Sequence, residues 1–230
     1  MSGTRRLDLQ MIEPPQRETL QDRVYKELRN ALMRGRFLPG TSLSIRAVSA
    51  ALGTSPMPVR EAMRQLTNDN AIITLPNRTY GTPIMSRSRF RDVLEIRSEL
   101  EGYAVLRATE RATLEDIDLL VSIDAEMAVR KGKGDREGYT AANQEFHFTL
   151  YRLAGSETLV PLIETMWLQY GPYLSFVFKA QLPTETGKTD FHAGAIAALR
   201  ARDGQAARQM IVDDLLTYAK IIEASGKFSD

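Results

Sequence analysis

The chain of 230 residues has two histidines and no cysteine, so imidazole chemistry is confined to His147 and His192 and thiolate chemistry is excluded. His147 follows Asn143 by one helical turn, beside Phe146, Leu150 and Leu153, which recur at the spacing of an inward face. His192 continues the stripe of Ala195, Ile196 and Leu199. Asp214 falls between Ala207, Met210, Ile211, Tyr218 and Ile221, and Arg97 falls within Phe90, Val93, Leu94, Leu100 and Ala104. Polar groups on buried faces are costly unless paired or bound to something. Imidazole nitrogen with carboxylate and amide oxygen is a donor set for a divalent ion such as Zn, Ni or Mn. Taken singly, each residue also reads as an ordinary core group. The histidines could be hydrogen-bonded, Arg97 paired with Glu101 or another acid, and Asp214 paired with a lysine. Periodicity alone leaves both readings open.

A second chemistry is cationic. In Ser55-Pro56-Met57-Pro58-Val59-Arg60-Glu61-Ala62-Met63-Arg64-Gln65-Leu66, Ser55 is placed to cap a helix, and proline is tolerated in a first turn. Val59, Ala62, Met63 and Leu66 make one apolar face, while Arg60 and Arg64, four apart, share another. Such a helix suits a DNA groove, with Arg60 and Arg64 as contact candidates. Ile45, Val48, Ala51 and Leu52 form that earlier helix, and Gly53-Thr54 supplies the turn, the helix-turn-helix layout. Ile72 to Leu75 and Tyr80 to Met85 read as strands, joined by Pro76-Asn77-Arg78-Thr79 as a hairpin with Arg78 at a basic tip. The whole is a winged helix-turn-helix.

Charge is distributed to match. Residues 1–86 carry a balance of +5 and residues 87–230 one of −4, although the chain as a whole is +1. A basic module joined to an acidic one is the footprint of a nucleic-acid-binding part attached to something else. No apolar run approaches the ~20 residues that span a bilayer. The N-terminus lacks a signal peptide's apolar core, because Arg5, Arg6, Asp8, Glu13 and Arg17 interrupt it. A cytoplasmic protein with no membrane partner is expected.

The elements that position these residues are mainly helical. Residues 1–18, with Pro14-Pro15, read as a flexible tail, residues 19–86 as the DNA-binding domain and residues 87–230 as an all-α bundle. In the DNA-binding part, Leu20, Val24, Leu28 and Leu32 make an i, i+4 stripe over 19–34. In the bundle, helices are expected at about 87–109, 113–131, 137–154, 156–179, 189–201 and 203–225, with a capping start at Thr113-Leu-Glu-Asp116.

Gly-x-Phe-x-Pro-Gly (35–40), then Leu43 and the short helix, then Ser-x-x-Pro-Val-Arg-Glu-Ala (55–62) resembles the GntR family of bacterial transcription regulators. The family usually has arginine directly after the serine, where this chain has Pro56. Asn-x-x-Phe-His (143–147), followed by His192 with Ala198 and Asp203 at their spacings, is similar to the FCD ligand domain of the FadR-like branch. The resemblance implies a DNA-binding regulator that acts as a homodimer on a double-stranded operator, with Arg46, Ser55, Met57, Arg60 and the wing at the DNA, and is controlled by a small organic acid. It implies a metal held by Asn143, His147 and His192. The family's third histidine corresponds to Asp214, an acid able to ligate the same ions. Arg97 corresponds to an arginine near the pocket, suited to bidentate capture of a carboxylate. A metal-dependent enzyme fused to a DNA-binding domain is the alternative. Against it, the chain lacks a nucleophile motif, a phosphate loop and a general base of distinctive spacing. A structural nucleic-acid protein without a ligand is a third reading, which a dry, apolar cavity would favour.

Overall fold

The structure is a computed structural model and describes residues 18–76, 79–179 and 190–230. Residues 1–17 of the expected tail and Arg78 of the expected hairpin tip lie outside the described residues. The first helix, α1 (Leu20–Met33), opens on a complete capping box, in which Thr19 accepts from the Asp22 amide and Asp22 accepts from the Thr19 amide. Val24, Leu28 and Leu32 of the expected stripe are buried, whereas Leu20 in the first turn is exposed. Gly35, with φ of +67°, ends the helix in a left-handed turn that other residues rarely adopt.

Next come a two-residue strand β1 (Ser42–Leu43), α2 (Ile45–Ala51) and α3 (Pro56–Asn68), then strands β2 (Ile73–Leu75) and β3 (Thr79–Gly81). The sheet is antiparallel in the order β1-β3-β2, pairing Leu43 with Tyr80 and Thr74 with Tyr80. The second wing strand is shorter than the sequence suggests. It stops before Pro83, which has no N–H for the ladder, and the Thr82 hydroxyl takes the Thr41 amide instead at 3.0 Å. The two-residue β1 is too short to leave a periodic signal, and sequence reasoning missed it.

The remaining helices are α4 (Arg87–Arg111), α5 (Leu114–Gly132), α6 (Arg136–Arg152), α7 (Leu159–Lys179), α8 (Phe191–Arg200) and α9 (Gly204–Ser225). They form the expected bundle, and α5 opens on the expected capping box between Thr113 and Asp116. One buried apolar cluster runs from Leu28, Leu32 and Met63 of the first part into Phe146, Ile163 and Trp167 of the bundle.

The two parts meet where the end of α1 lies against α7. A Cβ on Gly171 would run into the Leu32 carbonyl oxygen and come within 2.7 Å of Met33 Cα, so only glycine permits this approach. Arg29 pairs with Glu164 and Arg36 with Glu137 on either side of the contact.

Candidate functional site

The bundle brings His147, His192 and Asp214 together from α6, α8 and α9, and all three are buried. His147 Nε2 lies 3.4 Å from His192 Nε2 and 3.4 Å from Asp214 Oδ2. The partners on the far side of each ring decide what these atoms can do. Glu101 is a carboxylate, because Arg97 donates to it through Nε at 2.6 Å. The Tyr151 hydroxyl donates to Glu101, so it must accept from His147 Nδ1, 3.0 Å away. That leaves His147 Nε2 as a lone pair. On His192, the Asp124 carboxylate faces Nδ1 at 3.6 Å, which favours the tautomer with its proton on that side and Nε2 toward the cluster.

In those tautomers two imidazole lone pairs and a carboxylate converge with no donor between them. Such a point calls for positive charge, supplied by a proton or by a cation. Burial holds His147 below the ordinary imidazole range, against the opposing pull of Asp214. Burial also acts to lower His192, but the Asp124 contact and the charges of Asp214, Asp124 and Asp190 together outweigh it and raise the group. The separations suit a metal. Ligands ~2.0–2.2 Å from one tetrahedral ion lie ~3.4 Å apart. Asn143, one turn before His147, lines the same cavity.

The cavity beside this cluster has a volume of about 290 Å³. Its aromatic walls are Tyr139, Trp167, Tyr170 and Tyr218, and Arg97, Lys131 and Arg136 bring charge to it. Met33 and Arg34 line it too, although they belong to the end of α1. Arg97 is 2% exposed and Glu101 fully buried. The Arg97 guanidinium carbon sits 4.8 Å from the Trp167 ring centre and 4.3 Å from that of Tyr170. The expectation of an inward Arg97 therefore holds, and the acid it meets is the one on its own helix. Trp167 Nε1 and the Tyr170 hydroxyl are buried polar atoms without a hydrogen-bond partner among the described residues.

The helix-turn-helix presents the opposite surface. Val59, Ala62, Met63 and Leu66 anchor α3 with at most 1% exposure. Arg46, Arg60 and Arg64 project into solvent, and Met57 is 76% exposed. Gly53, with φ of +61°, makes the turn into α3. Arg64 is tied to Glu61 at 3.1 Å, whereas Arg46 and Arg60 have no ion pair among the described residues. Ser55 sits at the N-cap with extended backbone, but its hydroxyl makes no capping bond, contrary to expectation. The reason is local. The other helix-start hydroxyls of this chain bond the amide three residues on, and that residue here is Pro58, which has none.

Comparison with known proteins gives these surfaces a context. Residues 20–80 match the signature of bacterial regulatory proteins of the gntR family, and residues 92–216 match the FCD domain. The chain is 30% identical over 197 residues to the HTH-type transcriptional regulator McbR of Escherichia coli, covering 85% of this chain and 88% of that one. The chain belongs to the gntR family. A solved structure of E. coli McbR/YncC aligns with a TM-score of 0.86 at 27% identity, over 92% of this chain and 100% of that one. A probable D-xylose utilization operon transcriptional repressor from Paenarthrobacter nicotinovorans is 27% identical over 206 residues, 88% of each chain. The protein is thus a DNA-binding transcription regulator with an FCD domain, and its relatives are named regulators rather than enzymes, which sets the enzyme alternative aside.

Within this regulator, the sequence singled out the three residues that converge, His147, His192 and Asp214, but not the groups that orient them. Asp124 and Tyr151 sit on ordinary amphipathic helices, where an acid or a tyrosine carries no signal of its own. Met33 and Arg34 were also missed as cavity residues, because only the docking of α1 on the bundle brings them there. No helix among the described residues is long and apolar enough to cross a membrane.

Proposed function

We propose that this regulator holds a divalent cation among His147, His192 and Asp214, with Asn143 as an oxygen donor, and that a small organic acid entering the adjoining cavity changes its affinity for an operator. The observation that carries the reading is the convergence of three buried donor atoms, their far sides already fixed, on the wall of a ligand-sized cavity. The ion supplies a Lewis-acidic point for an oxygen of the effector. Asp214 makes the site harder than three imidazoles would, which favours Mn or Zn over Ni. Arg97 lines the same cavity, and Glu101 engages only part of its guanidinium, so N–H groups remain for the effector's carboxylate.

The reading includes a homodimer in the cytoplasm whose two α3 helices enter successive major grooves of a palindromic operator. Arg60 addresses a base edge or phosphate and Arg64 accompanies it. Arg46, Ser55 and Met57 contact the adjacent backbone, and Arg78 of the wing a neighbouring groove. Ser55 is favoured for a phosphate because its hydroxyl is exposed and makes no capping bond. Pro56 cannot supply the contact that an arginine makes there in relatives, so the operator differs from the usual one.

The test is fluorescence anisotropy on genomic fragments that the purified protein selects, repeated with bound metal and a panel of dicarboxylates and sugar acids. At least one acid should shift operator affinity tenfold or more. Affinity indifferent to every acid and to metal removal would reject control through this cavity.

A further inference from the structure

The cations around the cavity are not equivalent. Arg97 has its charge matched by Glu101, and Lys131 and Arg136 stand exposed at the rim. Arg34 is half-buried, and its Nε donates to the neutral Gln144 Oε1 at 2.7 Å. Among the described residues no carboxylate pairs with it, and its two Nη groups take no part in a hydrogen bond. A guanidinium partly withdrawn from water with only an amide for company is poorly compensated. Its planar fork matches a carboxylate through two parallel N–H bonds. Arg34 also stands at the C-terminal cap of α1, inside the gntR segment, while Gln144 lies on α6 three residues before His147.

We propose that Arg34 is the principal anion-holding residue of the effector cavity, so that the ligand bridges the bundle and the DNA-reading part directly. This rests on the reading that the cavity takes a small organic acid. The class of ligand that fits is a short molecule with a carboxylate for Arg34 and a second oxygen-bearing group for the His147 side, such as a dicarboxylate or a sugar acid. The polar atoms of Trp167 and Tyr170 left without partners suit the same oxygen-rich chemistry. The coupling that results is short. A carboxylate that engages the Nη groups re-aims the guanidinium that Gln144 holds. The end of α1 is thereby shifted or fixed, and α1 packs on α3. Two states of the head then differ by a contact that the effector itself makes, which is what a ligand needs in order to shift their populations.

Trp167 lines the cavity and is the chain's one tryptophan, so its fluorescence reports occupancy. Succinate and D-gluconate, titrated into the full-length protein in the presence of zinc, are the probes. The wild type should bind at least one of them, and Arg34→Met should weaken that binding at least tenfold while leaving zinc affinity within twofold. Gln144→Glu gives Arg34 an internal carboxylate and removes no cation, and it should weaken the acid by a similar factor. Acid affinity unchanged in both variants would overturn the assignment and move the anion to Arg97. Zinc binding with neither acid bound by the wild type would also overturn it, leaving the metal reading intact. Acid binding that depends on Arg34 without any zinc bound would uphold the assignment and remove the metal.

Discussion

The DNA-reading helix and the bundle interior handle charge in opposite ways. On α3 the apolar face is sealed and the guanidinium groups of Arg60 and Arg64 stand in water. In the bundle Arg97, Glu101, His147, His192 and Asp214 are all withdrawn from water and joined in one run of contacts, Arg97 to Glu101 to Tyr151 to His147, which meets both Asp214 and His192. Exposed charge costs nothing to keep and is available to a large polyanion. Buried charge is tolerated only when each member has a partner, so it is held in fixed positions and suits a small, specific ligand. The comparison teaches that the same residue type has two jobs in this chain. Arginine on α3 stands outside the packing, and arginine on α4 is held within it on the wall of the cavity.

The largest effect should come from breaking the buried run. Glu101→Ala leaves Arg97 charged and unpaired in the interior and takes away the acceptor of Tyr151. It should cost about 3–5 kcal/mol of stability in chemical denaturation, the usual cost of stranding one member of a buried pair. A loss no larger than a surface mutation's would erase the contrast between the two regions.

At the seam between them, Gly171→Val places side-chain atoms where the backbone of Leu32 and Met33 lies. Overpacking of this kind costs about 1–3 kcal/mol. Hydrogen exchange should rise at the end of α1 and spare α8. Uniform protection in the variant would mean that the two parts are less closely docked than this contact implies.

Arg60→Ala tests the other side. It should weaken operator binding by about 1–3 kcal/mol, the worth of one good arginine–base contact, with an unchanged melting temperature. A fall in melting temperature with intact DNA binding would reverse the roles assigned to the two regions. The mildest control is Thr113→Ala, which removes the α5 capping box. It should cost about 1 kcal/mol of stability and leave operator affinity alone.

The legibility of these features in the sequence follows how local they are. The recognition helix was readable because Val59, Ala62, Met63 and Leu66 repeat at helical spacing and Arg60 and Arg64 share another face. The convergent set of His147, His192 and Asp214 was readable because each breaks an apolar stripe, and a polar residue on a buried face is conspicuous. Asp124 breaks no stripe, and Tyr151, one turn after His147 on the same inward face, reads there as an ordinary core aromatic. Arg34 looked like the end of a helix and nothing more. Its place in the cavity depends on Gly171, 137 residues away, admitting the α1 backbone. Ser55 shows the converse, since a capping residue was recognised by type while the proline that denies it an amide stood three residues on.

The most direct test of the account is the metal content of the full-length protein after equilibration with trace Zn and Mn and removal of free ions. The wild type should retain close to one ion per chain. His147→Ala and Asp214→Ala should lose most of it, and Asp214→His should retain metal with increased affinity for nickel. Metal content unaffected by His147→Ala, or a wild type that retains no ion, would contradict the central claim that His147, His192 and Asp214 are arranged around a cation.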